Sequence, residues 1–195
     1  MAALLPRLRW PDAPFGIAPR ELWLEVGAGS FEHAEAIAAA HPEIGLIASE
    51  VFENGIASLL SRLAPEGEAP RVPANLRVFD DDARRLIGDL PDGALGRLFL
   101  MFPDPWPKAR HARRRFVHPA MLPALARVLR PGAEWRIGSD DPVYQDWVET
   151  VLAGQALFDI ISRQDAPPPD WPRTRYEAKA LAAGRRPRYW VLRRL

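Results

Sequence analysis

Five short apolar runs, separated by stretches of helical pattern, leave few folds open to this chain. They are "LWLEVGAG" (22–29), "IGLIASE" (44–50), "NLRVFDDDA" (75–83), "GRLFLMF" (96–102) and "EWRIGSD" (134–140). Each reads as a buried or half-buried strand. "FEHAEAIAAAHP", with Ser30 as its cap, reads as a helix, as do "FENGIASLLSRLA", "HPAMLPALARVLRPGA" and "DPVYQDWVETVLAG". "ALFDIIS" and "PRYWVLRRL" add two late strands, and "QDAPPPDWP" is a stiff loop. Strand alternating with helix predicts an α/β fold with a mainly parallel central sheet, flanked by helices on both faces. No repeat or linker interrupts the 195 residues, so one domain, 1–195, is expected.

Composition narrows the class further. An apolar content of 48% with 26% charged residues is that of a globular protein. No apolar run reaches the roughly 18 residues of a membrane span, and "MAALLPRLRWPD" is too short and proline-broken for a secretory signal. The absence of cysteine excludes disulfides and thiolate metal sites and suits the cytoplasm. The four histidines show no metal-ligand spacing, so no metal is expected. The net charge of +1 hides a split. Residues 1–104 carry 9 Lys/Arg against 16 Asp/Glu, and residues 105–195 carry 17 against 9. A basic second half points to a polyanionic partner rather than a membrane.

Ligands of open parallel sheets bind beyond the carboxyl ends of the strands. Those ends carry Glu25, Gly27 and Gly29, then Glu50, then Asp80 to Asp82, then Asp104, then Asp140 and Asp141. Glu25 lies inside a strand, where an acid is costly unless it has a task or a buried cationic partner. Gly27 and Gly29 form a turn that lets a ligand approach the backbone closely. Glu50 follows Gly29 by 21 residues, at the place where a carboxylate accepts the hydroxyls of an adenosine ribose. A nicotinamide dinucleotide would want a third glycine and no acid near its pyrophosphate. S-adenosyl-L-methionine carries a sulfonium and an ammonium instead, which Glu25 and the third-strand aspartates suit. Asp82 is placed to accept the adenine amino group. Phe31 stands where a further glycine is usual and is expected to crowd the methionine tail or tilt the helix.

The stretch "FLMFPDPWPKARHARRRF" (99–116) sets Asp104 at the mouth of the fourth strand. Prolines stiffen the backbone around it. Trp106 offers a stacking face. Lys108, Arg110, Arg113, Arg114 and Arg115 are available to neutralise phosphates. A carboxylate there accepts hydrogen bonds from the amino and imino groups of guanine.

"FPDPWPKARHARRRF", "GSDDPVY" and "TRYEAKALAAGR" together resemble the bacterial tRNA (guanine-N7-)-methyltransferase family, from about Leu22 to Tyr189. The resemblance implies a Rossmann-like methyltransferase fold and methylation of N7 of guanine 46, in the tRNA variable loop. By position it implies that Glu25, Glu50 and Asp82 hold the cofactor, and that Asp104 is both cofactor-contacting and catalytic. Asp82 is preferred over its neighbours because the family's aspartate directly precedes the alanine found here as Ala83. The same matching makes Lys108, Asp140, Thr174, Arg175, Tyr176 and Glu177 substrate contacts. Residues 1–19 form an N-terminal extension, with Arg7 and Arg9 the only remnant of the basic leader often seen in the family. Residues 163–180 form a substrate-side loop. A monomer or weak homodimer is expected. Two rival readings remain open: a tRNA-binding protein of the same fold with weakened catalysis, and a nicotinamide-dependent oxidoreductase.

Overall fold

The structure, a computed structural model, describes residues 3–195. The chain forms two compact units, residues 1–89 and 90–195.

In the first unit, β1 (Leu22–Val26), α1 (Glu32–Ala40), β2 (Gly45–Ser49), α2 (Glu53–Leu63), β3 (Leu76–Phe79) and α3 (Ala83–Asp89) alternate. Its strands lie in the order β3-β2-β1, all parallel. The register pairs Val26 with Ser49 and Ser49 with Phe79. The three strands therefore end on one row, and Gly27, Glu50 and Asp80 leave the sheet side by side. Each parallel step needs a crossover, which α1 and α2 supply by burying Ile37, Ala38, Leu59 and Leu60. α3 was not foreseen; it is a single short segment held by Leu86 and Ile87.

Of the expected extension 1–19, residues 1 and 2 lie outside the described residues. The rest covers the free edge of β3. Trp10 N–H donates to the Val78 carbonyl at 2.7 Å, and Val78 N–H to the Leu8 carbonyl at 2.8 Å. The buried guanidinium of Arg77 donates to the carbonyls of Ala13, Pro14, Pro73 and Leu76. An exposed edge is thereby paired and closed to other chains.

The second unit holds β4 (Leu95–Met101), α4 (Leu122–Val128), β5 (Leu129–Ser139), α5 (Pro142–Ala153), β6 (Phe158–Gln164), α6 (Arg175–Ala182) and β7 (Arg188–Arg194). The order is β4-β5-β7-β6; β4 and β5 are parallel, and β7 runs antiparallel to both its neighbours. Trp135, Tyr144, Tyr189 and Trp190 fill its core. Two expectations change here. The helix read over "HPAMLPALARVLRPGA" is only α4, because Pro131 and Gly132 cannot continue it and the chain is already extended from Leu129. The expected loop 163–180 is strand to Gln164 and helix from Arg175. "RYEAKALA" is rich in good helix formers, and Thr174 caps it.

Candidate active site

The acidic ends of the first unit are built from the backbone outward. After β1 the chain takes left-handed conformations at Gly27, Gly29 and Phe31, with φ of 70°, 56° and 65°. A glycine adopts these freely; a phenylalanine does so at a cost of roughly 1–2 kcal/mol. Phe31 recovers that cost by burial, with 0% of its side chain exposed. The Phe31 ring is part of the core. Ser30 does not cap α1, since the left-handed Phe31 occupies the N-cap position and no side chain bonds there.

Glu25 is 2% exposed on β1. Its Oε2 lies 3.1 Å from Nδ1 of His33, itself buried on α1. No hydrogen bond with satisfied geometry closes on that oxygen among the described residues. The buried partner of Glu25 is therefore a histidine. Next to it, nothing lies within 4 Å of a side chain built at Gly27. A buried acid on the strand that leads into bare backbone and open space at Gly27 fits the ammonium-bearing tail of S-adenosyl-L-methionine.

Glu50 holds the turn together. Oε2 accepts from Gly29 N–H at 2.7 Å and Oε1 from Phe52 N–H at 2.8 Å. A carboxylate has about four acceptor positions, so two remain for ribose hydroxyls. Two features beside it escaped the sequence reading. Val51 and Phe52 stand 56% and 66% exposed, an apolar shoulder at the start of α2. Gly55 allows α2 to approach the turn, because a Cβ there would sit 2.1 Å from the Gly29 carbonyl oxygen. A glycine inside a helix and a phenylalanine at its N-cap were the available signals. The three aspartates after β3 each meet a cation: Asp80 with Arg9, Asp81 with Arg85, and Asp82 with Arg84. Asp82 also accepts from Arg84 N–H at 2.9 Å, which fixes it at the start of α3.

In the second unit, Asp104 is exposed, on a loop whose flanking Phe102 and Trp106 are both left-handed, at φ of 51° and 44°. Strain in two non-glycine residues within one five-residue loop is the mark of an imposed geometry. The basic run then divides. Lys108, Arg110, Arg113 and Arg114 are exposed, and Arg114 lies over the Trp106 ring at 4.6 Å. Arg115, expected at a phosphate, is instead buried and bonded to the loop's own carbonyls.

Asp140, after β5, pairs with Arg185 at 2.7 Å, while Asp141 caps α5 by accepting from Tyr144 N–H. "TRYE" also divides. Thr174 and Glu177 turn inward, and Arg175 and Tyr176 outward. Thr174 Oγ1 accepts from Glu177 N–H at 3.0 Å, an N-cap bond to the third residue of the helix. Burial, and then the charge of Glu177, push the pKa of the Tyr189 hydroxyl up, so it stays protonated beside that carboxylate. Thr174→Val is expected to lower stability by about 1 kcal/mol through loss of the cap, measurable by thermal denaturation. The loop before α6 is tied down by Trp171, which packs on Tyr189 at 5.4 Å, and by Asp170 against Arg136 at 2.8 Å. Burial opposes ionisation of Asp170, yet the hydrogen bond and charge of Arg136 hold its carboxyl below the usual range.

Comparison with known proteins sets these features in a class. A family described as "Putative methyltransferase" matches residues 19–188, across both units. The 16S rRNA methyltransferase KamB shares the fold, with a TM-score of 0.63 at 16% identity over 91% of this chain and 89% of that one. The chain thus has the α/β Rossmann-like fold of methyltransferases. The tRNA (guanine-N(7)-)-methyltransferase of Granulibacter bethesdensis is 60% identical over 95% of this chain and 83% of that protein. That of Paramagnetospirillum magneticum is 49% identical over 94% and 76%. The chain belongs to the tRNA (guanine-N(7)-)-methyltransferase family. Nothing in these comparisons supports a nicotinamide-dependent oxidoreductase.

Proposed function

We propose that this enzyme transfers the methyl group of S-adenosyl-L-methionine to N7 of a guanine in tRNA, at position 46 of the variable loop, in the cytoplasm. The observation that carries the reading is the pre-set Asp104 loop, with an exposed carboxylate followed at once by four exposed cations. Residues 1–195 work as one methyltransferase domain, a reading supported by the family match over residues 19–188. Among the described residues no helix is long and apolar enough to cross a membrane.

The bound cofactor supplies an electrophilic methyl carbon on a sulfonium; the N7–C bond forms as the C–S bond breaks, and the electron pair stays on sulfur. Guanine N7 has a free lone pair and no proton to lose, so no residue need act as a base. Glu25 receives the cationic tail with its carboxylate charge. Glu50, held by two backbone N–H groups, receives the ribose hydroxyls, and Val51 and Phe52 cover the adenine, whose amino group Asp82 accepts. Asp104 accepts from the base and balances the positive charge that the purine gains. Alignment of N7 with the methyl carbon is the main contribution, worth as much as about 7–11 kcal/mol. Lys108, Arg110, Arg113 and Arg114 neutralise phosphates, while Asp140 and the segment Thr174 to Glu177 complete the substrate side.

Replacing guanine 46 by adenine in a tRNA transcript tests the assignment of the target. Methyl incorporation from labelled cofactor should vanish, and retained incorporation would move the target elsewhere. The four exposed cations also set a salt dependence. The plot of log affinity against log salt should fall with a slope of about −3, or roughly 60-fold weaker binding for a fourfold rise in salt. Filter binding over that range measures it.

A further inference from the structure

Arg115 closes the basic run but does not face solvent with the rest of it. Its side chain is 5% exposed. Nε donates to the Pro105 carbonyl at 3.1 Å and Nη2 to the Trp106 carbonyl at 3.0 Å. The guanidinium carbon lies over the ring of Trp147, on α5, 4.7 Å from its centre. Trp147 is fixed in turn, its Nε1–H donating to the Val117 carbonyl. The two carbonyls that Arg115 holds belong to the two residues directly after Asp104. The second of them, Trp106, is left-handed, as is Phe102 two residues before Asp104. Such a backbone persists only where its surroundings over-determine it. A planar fork with several donors can hold two successive carbonyls and stack on an indole at once; a lysine ammonium cannot do both.

We propose that Arg115 is a positioning residue for Asp104. It ties the strained loop to α5, so that the carboxylate is in place before a base arrives, and it neutralises no phosphate. The proposal rests on the reading of Asp104 given above.

Arg115→Lys tests it, with kcat measured at saturating cofactor and tRNA beside the tRNA affinity over a range of salt. A misplacement of about 1 Å costs on the order of 100-fold in rate, so kcat should fall by about that factor. The slope of log affinity against log salt should stay that of the parent. Arg113→Ala, run in parallel, should make that slope shallower by roughly 0.7–0.9. Guanidinium ion added to Arg115→Ala should restore part of the lost kcat without changing tRNA affinity. Parental kcat in Arg115→Lys, or a shallower salt slope, would overturn the proposal. If neither variant folds, phenylglyoxal labelling of the parent decides. Arg115 should stay unmodified with or without tRNA, and labelling that matches Arg113 and is blocked by tRNA would overturn it. Asp104→Asn in the same assay separates the two claims. Parental turnover there removes the reading of Asp104, whereas a loss there with parental turnover in Arg115→Lys removes only the positioning role.

Discussion

Asp104→Asn is expected to lower turnover by about 10²–10³-fold while leaving the fold and the cofactor affinity in place. The substitution keeps the shape of the side chain and removes its charge. Asp104 is exposed and sits outside any helix or strand, so stability should change by no more than about 0.5 kcal/mol. What is lost is the acceptor for the guanine N–H groups and the negative charge near a base that becomes cationic. Removing one pre-placed electrostatic partner of a transition state costs on the order of 10²–10³ in rate. Single-turnover kinetics with saturating tRNA measures this directly. Turnover within a few-fold of the parent would remove Asp104 from the mechanism.

Glu50→Ala should strike the cofactor side instead. The buried carboxylate holds Gly29 N–H and Phe52 N–H at 2.7 and 2.8 Å, and its loss leaves both donors without their charged acceptor. Hydrogen bonds to a charged group contribute about 1.5–3 kcal/mol each. Stability should therefore fall by about 3–6 kcal/mol. The two ribose contacts go with it, so the dissociation constant for S-adenosyl-L-methionine should rise by about 100-fold. Glu50→Gln should be intermediate: its amide oxygen can keep one N–H, but its NH₂ faces the other donor. Isothermal titration with thermal denaturation reads both effects. A Glu50→Ala protein that binds the cofactor as the parent does would show that the ribose lies elsewhere.

These two positions were legible in the sequence because each follows an apolar strand-forming run at a recognisable place. Apolar runs that stop at a glycine or an acid locate β1 to β5, and the strand ends locate Glu25, Glu50 and Asp104 without any knowledge of side-chain contacts. Contacts between residues distant in sequence were not legible. Pairing of β7 with β5 on one side and β6 on the other joins segments up to 60 residues apart, and periodicity carries no trace of it. The residue type of Phe31 was visible in the sequence, and its left-handed, buried conformation was not. Gly55 carried no signal beyond being a poor helix former, yet it is what lets α2 meet the Gly29 carbonyl. Arg115 read as one more cation in a run of five, since nothing in "ARHARRRF" says which arginine turns inward. "TRYE" was read as a substrate segment, and its T-x-x-E spacing also carried a helix start that went unused.

The most direct test of the account is nucleoside analysis of tRNA incubated with this protein and methyl-labelled S-adenosyl-L-methionine. The account predicts label in 7-methylguanosine alone, approaching one methyl group per susceptible tRNA. Label in any other nucleoside, or none in a protein that binds both the cofactor and tRNA, would contradict it.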